Sequence, residues 1–239
     1  MDNFTIINLL IISLPIAVTI FYTFYFLKIG RNQSILSVVS KRTILFLWVW
    51  FFAAAAIAYF RVFSQKVSLE NGDLLMFSIY ATLISFGPMT AWVAHKQSEK
   101  FRKLLSVIPA YVLVASQIIR LGGYSYWEAY KSGEIPFHLG LSIAGLDVFL
   151  ALCTPILAYG LYKKYGWAAR ATLVWAFIGI ADVLNGTVQM IMIFLGYGGM
   201  NSVAINLPLS NLIELYQVGI GIIIHVLLIN RFIKTKTIK

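Results

Sequence analysis

The chain has 239 residues, 60% of them hydrophobic and only 12% charged, with a formal charge of +10. Soluble domains carry roughly 25% charged residues, so a soluble enzyme is excluded. The basic residues stand in short stretches between long apolar runs, which excludes a nucleic-acid-binding face. Cys153 is the single cysteine, so there is neither an intrachain disulfide nor a thiolate metal cluster.

A bilayer core takes about 20 helical residues, and seven runs meet or approach that length. They are Thr5 to Leu27, Thr43 to Phe60, Leu74 to Ala94, Leu104 to Ile119, Phe137 to Tyr162, Ala171 to Leu195 and Asn211 to Ile229. No Lys or Arg precedes the first run, whereas Lys28 and Arg31 follow it. It therefore reads as a retained membrane helix with its N-terminus outside, not as a secretory signal.

The connections repeat this asymmetry. Segments 28–42, 95–103 and 163–170 and the tail 230–239 hold 15 of the 19 Lys and Arg residues. Arg61, Lys66, Arg120 and Lys131 fall on the other side. The expected fold is an all-α polytopic transmembrane bundle of seven spans, a single integral membrane domain with the C-terminus inside. On this reading no span carries a Lys or Arg in its core, and Arg120 closes the fourth span at the outer boundary.

Trp48, Trp50, Trp92, Trp127, Trp167 and Trp175 fall near span ends or in loops, as in an interfacial aromatic belt. Pro15, Pro88, Pro109 and Pro155 fall inside spans, where neighbouring helices satisfy the freed carbonyls. The outer segment from Leu121 to Pro136, with Tyr124, Tyr126, Trp127 and Tyr130, reads as a short interfacial turn or as the cap of a cavity.

Asp147 lies about 15 Å below the outer start of the fifth span and Asp182 about 16 Å above the inner start of the sixth. Both reach the midplane on consecutive antiparallel helices. A central Asp costs roughly 2.5 to 3.5 kcal/mol on insertion scales. Without basic partners, each Asp is protonated, shares a proton with the other, or holds a cation in a hydrated site.

Helical spacing turns the acids inward. Gly140, Ala144, Asp147, Ala151, Thr154 and Ala158 form a small-residue stripe on the fifth span. Gly179, Asp182, Asn185, Gly186 and Gln189 make a polar face on the sixth, and Glu214, Gln217, Gly221 and His225 one on the seventh. The candidate proton, cation or solute site is thus Asp147, Asp182, Asn185, Gln189 and Gln217. Arg61, Arg120 and Glu214 form a candidate outer polar cluster. The same faces also serve plain helix packing. His138 and His225 differ in depth by most of the core and His95 lies in a loop, so neither a haem nor a metal site is expected.

No lysine lies in the seventh span, so a retinal Schiff base is excluded. Gly145-Leu146-Asp147 lacks the Gly-x-Gly-Asp of intramembrane aspartyl proteases, and H-E-x-x-H, G-x-S-x-G and P-loop patterns are absent. Arg120-x-x-Gly123, Gly133-Glu-Ile-Pro136, Ala144-Gly145-Leu146-Asp147 with Pro155, Trp175 and Gly179-x-x-Asp182 together resemble a set of uncharacterised bacterial polytopic membrane proteins. The likeness runs from about Arg120 to the C-terminus and departs where that set reads Ala-Gly-x-Gly-Asp. It implies a multi-pass protein of the bacterial inner (plasma) membrane and supplies no activity. Three functions stay open: proton-, cation- or small-solute-coupled transport or sensing; a structural or partner-binding role; and an intramembrane enzyme, the least favoured. No cofactor is expected, and the lipid bilayer is the one assigned partner.

Overall fold

The computed structural model describes residues 3–60, 74–133, 135–194 and 212–236. Every regular element among them is helical. In order these are α1 (Asn3–Asn32), a 3-10 turn (Ser34–Leu36), α2 (Ser37–Tyr59), α3 (Leu74–Gln97), α4 (Glu99–Ser106) and α5 (Ala110–Ala115). A 3-10 helix (Ser116–Gly123), α6 (Tyr124–Lys131), α7 (Phe137–Tyr162), α8 (Ala168–Phe194), a π-helical turn (Ile213–Val218) and α9 (Gly219–Lys236) follow.

Five helices are long and apolar enough to cross a membrane, and a sixth crossing arises if Glu99–Ser106 and Ala110–Lys131, bent by 83°, count as one. Leu45, Val49 and Phe52 of α2, Phe149, Leu152 and Ile156 of α7, and Phe177, Leu184 and Val188 of α8 are all exposed. Apolar faces of that extent fit a bundle embedded in a membrane. The opposite face of α7 is the expected small-residue stripe: Gly140, Ala144, Asp147, Ala151 and Thr154 are buried.

The fourth span differs most from expectation. The run from Leu104 to Ile119 is not one helix: α4 ends at Ser106, and Pro109 starts a new helix in an extended conformation. Pro109 has no N–H to give to the Leu105 carbonyl, so the helix cannot continue. Arg231 of α9 fills the gap, with Nη2 donating to Leu105 O at 3.0 Å and Nη1 to Ile108 O at 2.6 Å. On α4, Leu104 is buried while Lys100, Arg102 and Lys103 are exposed. This is the pattern of a helix lying in an interface.

Beyond the break the chain stays helical from Ala110 to Lys131. The middle of that rod is Arg120, not a residue near Val112. The outer segment is helical between Tyr124 and Lys131: α6 continues the rod, with Ser125, Tyr126 and Ala129 buried and Tyr124 exposed.

Two tryptophans also depart from the belt reading. Trp50 is buried between Gly87 and Gly219, donates to Leu215 O at 2.9 Å and packs edge-on against Tyr216. Trp175 is buried and donates to Leu150 O at 3.0 Å, tying α8 to α7. In a chain with few interior donors, an indole N–H joins helices as well as it anchors at headgroups. Trp92 and Trp167 are exposed, as belt residues are.

Candidate functional site: a buried arginine between two aspartates

The three rods α5–α6, α7 and α8 bring Arg120, Asp147 and Asp182 together. Arg120 Nη1 donates to Asp147 Oδ1, and the same nitrogen donates to Asp182 Oδ2 at 2.7 Å. Arg120 Nη2 donates to the Gly179 carbonyl at 3.3 Å and meets His225 Nε2 at 3.2 Å, and Nε donates to Gln117 Oε1 at 3.3 Å. All five guanidinium N–H groups are therefore used. Arginine has no acceptor, so His225 Nε2 is the acceptor and its ring proton sits on Nδ1.

The expectation that no basic side chain reaches mid-depth is overturned. The apolar run after Lys103 ends at Arg120, whereas the helical rod that begins after Pro109 is centred on it. The candidate outer cluster of Arg61, Arg120 and Glu214 loses Arg120 for the same reason, while Arg61 and the side chain of Glu214 lie outside the described residues.

Glycines make this convergence possible. A β-carbon on Gly123 would press into the Asp147 carboxylate, with Cγ at 2.8 Å, and one on Gly179 would enter the His225 ring, with Cδ2 at 2.9 Å. One on Gly122 would meet Gln217 Oε1 at 2.7 Å. Bare backbone at these points lets the rods close around the guanidinium.

Gln217, Gly221 and His225 lie one turn apart on the last helix, and all three are buried. The polar stripe read from the sequence thus faces the cluster, with Gln217 against Gly122 and His225 on Arg120. Trp175 covers the histidine, their ring centroids 4.7 Å apart.

Asn185 and Gln189 make no hydrogen bond to Arg120, whose partners are Gln117, Asp147, Asp182, Gly179 and His225. Gln189 Nε2 donates to Asn185 Oδ1 at 2.9 Å and to Ser142 Oγ at 2.8 Å. These half-buried residues continue the Asp182 face of α8 for two further turns, so the five expected site residues divide into a cluster and an adjoining polar track. The expected central site leaves out Arg120, assigned to the outer cluster, and His225, assigned to the polar face of the seventh span, and Gln117 is not singled out. The signals for them were Pro109 upstream of Arg120, the one-turn spacing from Gly221 to His225, and the Gly123 and Gly179 positions.

Both carboxylates bond to one nitrogen, so the bonded oxygens lie within about 6 Å of each other, twice a hydrogen-bond length. Their charges sum to −2 against +1 on Arg120. Asp182 Oδ1, Gln117 Nε2, Gln217 Oε1 and His225 Nδ1 are buried without a hydrogen bond to any described residue. No group of three or more His, Cys, Asp or Glu side chains suited to a metal occurs among the described residues. A cavity of about 330 Å³ lies elsewhere, and none of Arg120, Asp147, Asp182 and His225 lines it.

No protein-family model, curated protein or solved structure matches this chain.

Proposed function

We propose a multi-pass protein of the bacterial inner membrane, with seven spans, the N-terminus outside and the C-terminus inside, that transports or senses through proton exchange at the Arg120–Asp147–Asp182 cluster. On this reading α3 joins the five apolar helices and the bent pair to make seven crossings, a count supported by the alternation of the basic segments.

The observation that carries the reading is the sharing of one guanidinium nitrogen by two buried carboxylates. With His225 acting as a neutral acceptor, the ionised cluster holds one excess negative charge. In a low-dielectric interior such a charge is neutralised by a proton or a small cation. A proton needs no added ligand shell, and two carboxylates this close share one readily. Asn185, Gln189 and Ser142 extend the polar lining from Asp182 toward the end of the bundle assigned to the outside, as an access route requires.

Infrared difference spectra of the reconstituted protein test this directly. A protonated-carboxyl band that disappears on raising the pH, and is missing in Asp147→Asn or Asp182→Asn, is expected together with pH-dependent uptake in vesicles. Absence of any titrating carboxyl band rejects the proposal.

A second reading, a purely structural clamp, draws on the saturation of all five Arg120 donors. It expects the same substitutions to change stability and leave every pH response intact. Aspartyl hydrolase chemistry is less favoured, because both carboxylates are already engaged by Arg120.

A further inference from the structure

The cavity is itself a built chamber. Its walls on α2 are Thr43, Phe46, Leu47 and Trp50, spaced as one helical stripe. On α9 the corresponding stripe is Ile220, Ile223, Ile224 and Leu227. The chamber thus runs alongside both helices for about 10 to 12 Å at about 1.5 Å per residue. Tyr22, whose hydroxyl bonds Ser116 Oγ at 2.8 Å, belongs to its wall, and Ser98, Phe101 and Leu105 bring in the interfacial helix α4 and its N-cap.

A volume of about 330 Å³ is small for a peptide helix, which is about 10 to 12 Å across with its side chains, and suits one slender hydrocarbon chain. A volume near the bottom of the roughly 300 to 1,000 Å³ range of ligand pockets agrees with a single slender occupant.

Charge enters at one point. Arg42 is the only lining residue with a formal charge; it is exposed and makes no hydrogen bond or ion pair with a described residue. It lies beside Thr43, at the opposite end of the α2 stripe from Trp50, within the basic segment assigned to the inner face. An apolar column with a free guanidinium at one end is complementary to a chain that ends in an anion.

We infer that this chamber binds a single-chain carboxylate amphiphile of fatty-acid type, its chain lying between α2 and α9 and its headgroup on Arg42. The site is independent of the proton cluster and survives if that proposal fails.

The test uses the full chain in phosphatidylcholine nanodiscs with a fatty acid carrying a mid-chain diazirine, and with the alcohol of the same chain. Photolabelling by the acid is expected on the peptides holding Phe46, Trp50 and Ile223. Arg42→Gln should lower labelling by the acid about fivefold, the effect of losing roughly 1 kcal/mol of charge pairing, and leave the alcohol unchanged. Ala94→Trp should fill the chamber and abolish labelling by both probes, and Leu105→Trp provides a second filling variant if the first fails to fold. Labelling confined to the outward-facing Val49 and Phe52, or unchanged by a folded filling variant, overturns the proposal. So does complete displacement of the acid by an anionic two-chain phospholipid, or an acid signal indifferent to Arg42→Gln.

Discussion

The backbone of Gly123 lies so close to Asp147 that a β-carbon there would stand 2.5 Å from the Asp147 Cβ. Both neighbours are helix backbone or its first side-chain atom, so neither yields by rotating a flexible chain. Gly123→Ala should therefore force the α6 rod away from α7 and loosen both bonds from Arg120. A loss of about 1 to 3 kcal/mol is expected, as for overpacking elsewhere. Gly145→Ala on the same helix α7 is the control, because an added β-carbon there meets nothing within 4 Å. It should be neutral or stabilising by up to about 1 kcal/mol through helix propensity. Thermal unfolding of the two variants in detergent compares them.

Arg120→Gln removes the one positive charge and strands two carboxylates in the interior. Breaking a buried pair in this way typically costs about 3 to 5 kcal/mol. Neutralising the whole cluster with Arg120→Gln, Asp147→Asn and Asp182→Asn together should recover most of that loss, since no uncompensated charge remains. Arg120→Lys should recover little, because an ammonium lacks the planar fork that reaches Gly179, His225 and both acids at once. Unfolding midpoints of the single and triple variants decide the matter, and a triple variant as unstable as Arg120→Gln would show that hydrogen-bond geometry outweighs charge.

Lys164, between α7 and α8, is the one non-glycine residue with positive φ (59°) among those described. It caps α7 in the left-handed conformation, with Tyr165 N–H returning to Gly160 O at 2.9 Å. Side chains pay roughly 1 kcal/mol for that backbone, and glycine does not. Lys164→Gly should accordingly raise stability by about 0.5 to 1 kcal/mol with no effect on either site. Its unfolding midpoint in detergent, compared with the parent chain, checks this.

Much of the cluster is legible in the sequence because helical periodicity fixes which residues share a face. The stripes on α7, α8 and α9 follow from spacing alone, and the short turn after Tyr162 makes α7 and α8 neighbours. Arg120 was hidden by a different property. Hydropathy ends a span at a charge, so a charge at the centre of a span is read as its boundary. Pro109 held the correction, since a proline opens a helix as readily as it kinks one. Trp50 and Trp175 were misplaced because depth along a helix does not reveal rotation about it, and each turns its indole toward a carbonyl inside the bundle.

Arg231 belongs by sequence to the basic tail that marks the inner face, yet its guanidinium serves the break at Pro109. Helix α4 ends at a corner of 83°, where Leu105 O keeps only a long bond from Ile108 N–H at 3.4 Å, and Arg231 bonds two carbonyls there, those of Leu105 and Ile108. Hydrogen bonds to a charged group contribute about 1.5 to 3 kcal/mol each, less where solvent reaches them. Arg231→Gln should lower stability by about 1 to 3 kcal/mol and speed amide hydrogen exchange through α4. Arg231→Lys keeps the sidedness signal but bonds only one carbonyl well, and should fall between the two. If charge alone mattered, the lysine variant would match the parent in exchange rate. A difference between them localises the role of Arg231 to the corner that sets Arg120 at the centre of its rod.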